Sequence, residues 1–276
     1  MQLYRTRDGI FLKAEKGWFL LSETDWDALI NTEDLAGHLR RAIESQGVVE
    51  GPVDVAILSP IGTQEIWAAG VTYFRSRTAR MEESQDAGGG SFYDRVYSAE
   101  RPEIFFKSTA QRVAAPGAAM HLRRDSKWMV PEPELTLVLN AKGEIVGYTV
   151  GNDLSCRDIE GENPLYLPQA KCFDRCASVG PCVLIAEEPL DQASTQVRLV
   201  IERDGVVVFE GSTGLDQLKR KPEELAEFLF RDNRFDTGAL LMTGTGIVPD
   251  DDFTLQAGDV VSITIDGIGT LVNPME

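Results

Sequence analysis

The apolar positions of this chain fall mostly in short runs broken by Gly, Pro, Asp and Asn, a pattern that predicts strands rather than long helices. LYRTRDGIFLKAEKGWFLLS reads as two or three short strands with a turn at Asp8-Gly9. TDWDALINTEDLAGHLRRAIES follows with Thr and Asp helix starts and helical spacing through Leu35, Leu39 and Ile43. GVVEGPVDVAILSPIG reads as a connection running into a strand, which sets a boundary near Pro60 between a small α+β unit (1–60) and a larger unit (61–276). In the larger unit, EIWAAGVTY and EIFFKST are strands. LTLVLN and EIVGYTVGND form a hairpin turning at Lys142-Gly143, and QVRLVIERDGVVVFEGST a second one around Asp204-Gly205. KPEELAEFLFRDN is a helix with an acidic first turn, and VVSITIDGIGTLVNP closes the chain as a strand pair. The strands do not alternate with crossover helices, so the expected class is α+β, a β-sandwich or roll rather than a doubly wound sheet. RSRTARMEESQDAGGGSFYDRVYSAERP breaks into two helical pieces around Gly88-Gly89-Gly90, either a mobile flap or an ordinary loop.

One interruption of this pattern carries charge. VPEPEL places Glu132 and Glu134 two residues apart, just before the apolar run LTLVL. In an extended chain, side chains at i and i+2 point to the same face, with Cα atoms about 6–7 Å apart. Two carboxylates converging on a partly buried spot repel unless one takes a proton or a cation sits between them. A solvated strand end is the alternative. The hairpin supplies a third group: Asp153 lies ten residues past Gly143, while Glu132 and Glu134 lie eleven and nine before it. Antiparallel pairing therefore brings Asp153 level with the pair, barring a bulge or register slip. An all-oxygen trio with room for water suits Mg²⁺ or Mn²⁺.

Composition narrows the function classes. The 276 residues carry a formal net charge of −17, spread along the chain, with 19 Arg against 8 Lys. An acidic surface without a basic stripe disfavours nucleic acid. No run approaches 18 apolar residues, and MQLYRTRDGIFLKAEKG has early charges without an apolar segment. Neither a membrane span nor a secretory signal is expected, and the chain reads as cytoplasmic. Cys156, Cys172, Cys176 and Cys182 lack paired C-x-x-C spacing and lie far in sequence from His38 and His121. Buried thiols are expected, ahead of a zinc or redox role.

GVTY, RPEIFFKST, PEPELTLVL, GYTVGNDLSCRD, LPQAKCFDRCASVGP and TGTGIVP, in this order, resemble the fumarylacetoacetate hydrolase superfamily from about Gly70 to Pro274. ENPLYLPQ and RPEIFFKST resemble its branch of 2-dehydro-3-deoxy-D-pentonate (arabinonate or xylonate) dehydratases. The resemblance implies a metal triad of Glu132, Glu134 and Asp153 and a substrate whose 2-oxo carboxylate head chelates the ion, Mg²⁺ with Mn²⁺ or Ca²⁺ as alternatives. It places the active-site lysine at Lys171, a substrate-contacting threonine at Thr245, Arg157 at the substrate carboxylate and Asp158 in a supporting position. Tyr73, Phe106, Ser108 and Tyr166 are candidates to line the pocket or to pack the core. A homodimer or homotetramer is implied as well.

The family's hydrolases and decarboxylases follow G-x-N-Y with a His-x-x-Glu pair; here those positions are Ser76 and Ala79, neither of them a base near neutral pH. The dehydratase branch also lacks that pair and shares Glu103, the candidate second proton-transfer group. The implied reaction is elimination of water from a 2-oxo acid with CH₂ at C3 and hydroxyl at C4, giving 2,5-dioxopentanoate from a five-carbon substrate. A dication on the C2 oxygen acidifies the C3 proton. Lys171 is the expected C3 base and Glu103 the acid at the C4 hydroxyl, although the two roles are exchangeable. The rival readings are an acylpyruvate hydrolase or oxaloacetate decarboxylase of the same family, and a non-catalytic sugar-acid-binding protein.

Overall fold

The computed structural model describes residues 1–53, 57–75 and 95–276. The Gly88-Gly89-Gly90 segment, Ser76 and Ala79 lie outside the described residues.

Strands β1 (Gln2–Arg5), β2 (Ile10–Ala14) and β3 (Gly17–Leu20) form an antiparallel meander that turns at Gly9, as Asp8-Gly9 predicts. Helices α1 (Trp26–Ile30) and α2 (Leu35–Ser45) follow, each opened by an aspartate, Asp25 or Asp34, whose carboxylate accepts a backbone N–H of the first turn. The larger part begins with β4 (Glu65–Gly70), β5 (Glu103–Thr109), β6 (Val113–Ala114) and β7 (Met129–Val130). The expected hairpin is β8 (Pro133–Leu139) and β9 (Ile145–Asp153), followed by the short β10 (Ser155–Cys156). Two short helices, α3 (Arg157–Glu162) and α4 (Leu167–Lys171), precede β11 (Ala177–Ile185). The chain ends with β12 (Gln196–Arg203), β13 (Val206–Gly214), α5 (Pro222–Phe230), β14 (Ala239–Met242), β15 (Val260–Ile265) and β16 (Gly269–Pro274).

The strands make a large mixed sheet in the order β3-β2-β1-β11-β9-β8-β14-β4-β5, with β6 joined to β11, and a four-stranded antiparallel sheet in the order β13-β12-β15-β16. The hydrophobic pattern explains how they stack. Along β8, Leu135, Leu137 and Leu139 enter one apolar cluster with Val197, Leu199, Val261 and Ile263 of the second sheet. Val138, on the opposite face, joins a second cluster with Leu29, Ile30, Leu35 and Leu39 of the N-terminal helices. Both faces of β8 are thus covered, so all seven of its residues are buried. The result is the α+β, mostly β sandwich architecture expected from the sequence. The strands of the first sixty residues extend the large sheet through β1–β11 pairing, and their helices cover part of one face.

This layering decides where the site lies. Glu134 sits one position before Leu135 and so points away from the second sheet. Beyond that end of β8 and β9, α3 packs against β7, and α4 packs against β10 and β5.

Candidate active site

The hairpin register brings the three carboxylates together. Glu134 stands opposite Gly151, Pro133 opposite Asn152, and the Asp153 N–H donates to the Glu132 carbonyl at 3.0 Å. One oxygen from each of Glu132, Glu134 and Asp153 lies within 4.8 Å of the others, and all three residues are buried. They line a small cavity with Ala69, Gly70, Val71, Phe105, Arg157, Lys171, Gly244 and Thr245.

Three buried cations contact this cluster. Lys171, at the end of α4 and buried, donates from Nζ to Glu132 Oε2 at 2.5 Å, Asp153 Oδ2 at 3.1 Å and Ser155 Oγ at 2.6 Å. Its ammonium also lies 5.5 Å from the centre of the Phe105 ring. Arg157 opens α3 and places Nη2 3.0 Å from Glu132 Oε1. The fully buried Lys107, on β5, reaches Asp153 Oδ1 at 2.7 Å. Burial works against the Lys107 charge, but Asp153 outweighs it and holds the ammonium above its ordinary range.

Glu134 has a different environment. It accepts the Gly244 N–H at 2.5 Å. Burial, then the charges of Asp153 and Glu132, push its carboxyl well above the usual range. A buried, all-oxygen, mutually repelling donor set of this kind fits a hard divalent cation such as Mg²⁺. Glu132, Glu134 and Asp153 are the residues that would hold it.

The remaining candidates fall at different distances from this centre. Thr245 lines the cavity, its Oγ donating to the Ile247 carbonyl and accepting the Ile247 N–H at 3.2 Å each. Glu103 pairs in register with Gly70, and a Cβ at Gly70 would overlap the Glu103 carboxylate, so that carboxylate lies directly over a lining residue. Asp158 sits away from the triad, where it accepts from Ser126 Oγ at 2.6 Å and Lys127 N–H at 2.7 Å. This turn leads to Trp128, whose carbonyl accepts the Arg157 N–H at 2.8 Å, so Asp158 supports Arg157 through the backbone.

Tyr73 is buried behind Gly246, and burial pushes its hydroxyl pKa up. Tyr166 lies in a one-turn helix before α4, partly exposed. Phe106 and Ser108 are not brought to the cavity. Phe106 packs edge-on against Trp67 at 5.8 Å between ring centres, and Ser108 gives its hydroxyl to the Thr109 carbonyl. Strand alternation separates Phe105, on the face of Glu103, from Phe106, and a register shift where Trp67 pairs with Phe106 and Ile66 with Ser108 leaves Lys107 unpaired between them. That same alternation is the signal in RPEIFFKST that points to Phe105; nothing local marks Lys107, and the sequence reading passed over both. Ser155, next to Lys171, was passed over as well.

The four cysteines are free; Cys156, Cys176 and Cys182 are buried and Cys172 partly so. Among the described residues the triad is the one group of acidic, His or Cys side chains arranged to hold a metal. Among the same residues, no helix is long and apolar enough to cross a membrane.

Fold and site together define the class. Residues 66–276 match the fumarylacetoacetate hydrolase C-terminal family, and the chain belongs to that family. A probable 2-keto-3-deoxyxylonate dehydratase of Haloferax volcanii is 52% identical over 221 residues, covering 80% of this chain and 75% of that protein. The 2-dehydro-3-deoxy-D-arabinonate dehydratase of Saccharolobus solfataricus is 44% identical over 224 residues, covering 81% and 75%. Among solved structures, a 2-keto-3-deoxy-D-arabinonate dehydratase in its apo form superposes with a TM-score of 0.85 at 35% identity, covering 100% of this chain and 99% of that one. A structure of 2-keto-3-deoxy-D-arabinonate dehydratase complexed with magnesium and 2,5-dioxopentanoate gives a TM-score of 0.82 at 36% identity, with the same coverage.

Proposed function

We propose that this chain is a Mg²⁺-dependent hydro-lyase that removes water from a 2-dehydro-3-deoxy sugar acid, converting 2-dehydro-3-deoxy-D-arabinonate/xylonate to 2,5-dioxopentanoate. The observation that carries this reading is the buried triad with Lys171 Nζ in direct contact with two of its members. The dehydratase relatives at 44% and 52% identity support it.

When bound, the ion supplies Lewis-acid polarisation of the substrate's 2-oxo group, typically several kcal/mol of charge stabilisation. The chain's own groups do the rest. Lys171, acting as the neutral amine, takes the proton from C3 and becomes the ammonium. Glu103, whose carboxylate lies against the cavity-lining Gly70, donates a proton to the C4 hydroxyl as the C4–O bond breaks. Water leaves, and a C3–C4 double bond forms. Two hydrogens, from C5 and its hydroxyl, then move to C4 and C3, and C5 becomes the aldehyde. Arg157 and Thr245 line the cavity where the substrate carboxylate is held. Burial and the ion pairs among Glu132, Asp153, Arg157 and Lys171 fix these groups before substrate arrives.

A substrate panel tests the reaction class. With Mg²⁺ present, 2-dehydro-3-deoxy-D-arabinonate is consumed, whereas acylpyruvates and oxaloacetate are not. Turnover of an acylpyruvate or of oxaloacetate at a higher kcat/KM would overturn the dehydratase reading.

The same reading takes residues 1–60 as a small α+β unit attached to a catalytic unit at 61–276, in a cytoplasmic homodimer or homotetramer. Exposed Val206, Val207 and Val208 on the edge strand β13 are an apolar strip that a second copy could cover. Light scattering of the purified protein decides the stoichiometry.

A further inference from the structure

Each of the three carboxylates gives one oxygen to a donor held rigidly by the fold. Asp153 Oδ1 lies 2.7 Å from Lys107 Nζ, Glu132 Oε1 lies 3.0 Å from Arg157 Nη2, and Glu134 Oε2 accepts the Gly244 N–H at 2.5 Å. None of these donors has freedom to withdraw. Lys107 is fully buried and donates to the Leu154 carbonyl at 2.9 Å and the Lys171 carbonyl at 2.5 Å, two bonds that anchor its ammonium beside Asp153. Arg157 is 2% exposed, and its backbone is tied to Trp128. Gly244 has φ +95°, and a Cβ there would overlap Thr72 Oγ. The preceding Thr243 is bonded twice to the Leu135 carbonyl, at 3.0 and 2.9 Å. The second oxygens of Glu132 and Asp153 meet Lys171 instead.

We infer that Lys107, Arg157 and the Gly244 N–H set the ion selectivity of this cluster, by holding back one oxygen of each carboxylate and so favouring Mg²⁺ or Mn²⁺ over Ca²⁺. Ca²⁺ takes six to eight oxygens in a flexible shell and readily uses both oxygens of a carboxylate. Mg²⁺ demands six in near-octahedral geometry, commonly one from each carboxylate, and completes its shell with water or substrate. A carboxylate with one oxygen already bound to an immobile ammonium, guanidinium or amide is poorly placed to offer both. Lys107 has a second effect: a single ammonium joins Asp153, the turn after β9 and the end of α4, so it fixes a metal-holding residue relative to the backbone of Lys171. It is a positioning residue. The inference rests on the dication reading of the triad and adds the chemistry that discriminates between ions.

The test is calorimetric titration of Mg²⁺, Mn²⁺ and Ca²⁺ into wild type, Lys107→Met and Arg157→Met, with folding checked by circular dichroism. Wild type binds Mg²⁺ and Mn²⁺ more tightly than Ca²⁺, and each substitution shifts the Ca²⁺-to-Mg²⁺ affinity ratio toward Ca²⁺ by about tenfold, the scale on which groups supporting metal ligands act. Removing a nearby positive charge strengthens the binding of every dication alike, so the ratio isolates the geometric effect. Wild type binding Ca²⁺ as tightly as Mg²⁺, or a ratio unchanged in the variants, overturns the inference. Should Lys107→Met fail to fold, Arg157→Met and the wild-type ratio decide it. Absence of binding by any of the three ions would remove the dehydratase reading itself, an outcome distinct from binding without selectivity.

Discussion

Asp153 donates its backbone N–H to the Glu132 carbonyl at 3.0 Å, so the last residue of one strand is locked level with the residue that precedes the other. This bond sets the third carboxylate of the site. A slip of one residue in the hairpin would turn Asp153 to the opposite face and leave two glutamates facing each other alone.

Glu134→Gln separates the metal role of the triad from its structural role. Glu134 is pushed toward its neutral form by burial and by its two acidic neighbours, and the Gly244 N–H that it accepts is one an amide oxygen accepts equally well. Without metal, the variant should melt at the wild-type temperature or slightly above. Its Mg²⁺ affinity should fall at least tenfold by calorimetry, with turnover falling in step. A large loss of metal-free stability would contradict the proposed environment of Glu134.

Lys171→Met should abolish turnover while leaving Mg²⁺ binding intact. Glu132 retains Arg157 at 3.0 Å and Asp153 retains Lys107 at 2.7 Å. The substitution therefore costs less than the roughly 3–5 kcal/mol expected when a buried carboxylate loses every partner. Thermal melts and single-turnover kinetics on the metal-loaded variant measure both. Unchanged turnover would remove Lys171 from the chemistry.

Gly70→Ala tests Glu103 without touching its carboxyl group. A Cβ at residue 70 overlaps the Glu103 carboxylate and must displace it from above the cavity. The expected result is a fall in kcat of about 10²-fold or more, in line with loss of a positioned proton donor, with Mg²⁺ affinity unchanged. Glu103→Gln should show the same split. Full activity in both variants would assign the second proton transfer elsewhere.

The hairpin register was legible because its turn, Lys142-Gly143, and its ends lie in one continuous stretch of sequence. Residue counting brings Asp153 level with the glutamates, and a register shift between Val138 and Leu139, which counting does not show, sets its face by pairing Pro133 with Asn152. Lys107 was not legible as part of the site. A lysine in a strand ordinarily leads its charge to water, and nothing local to EIFFKST shows that Leu154, Lys171 and Asp153, 46 to 64 residues away, converge on it. Phe106 and Ser108 show the converse: their motif is right, but the site depends on strand parity, which selects Phe105 instead. The division of the fold into two stacked sheets was legible as a class, whereas the strand order β11-β9-β8-β14-β4 depends on long-range pairings that no short window encodes.

The thiols give a pH signature. Burial pushes Cys156 and Cys172 up to about 11 and Cys182 up to about 12. A folded-state pKa above the unfolded value means that the folded protein keeps its proton longer. The associated stability is complete below the ordinary thiol range near 8.5 and is lost as pH rises through 11 to 12. Melting temperature should decline above about pH 9, and Cys182→Ala should flatten that decline. At neutral pH the thiols should resist iodoacetamide in the folded protein, as read by mass spectrometry; rapid labelling of Cys182 would contradict its burial.

The most direct measurement follows product formation from 2-dehydro-3-deoxy-D-arabinonate by NMR while Mg²⁺ is titrated into metal-free enzyme. The predicted result is 2,5-dioxopentanoate appearing in proportion to the occupied Glu132–Glu134–Asp153 site and ceasing on addition of EDTA. Release of pyruvate with a two-carbon aldehyde, or turnover indifferent to EDTA, would contradict it.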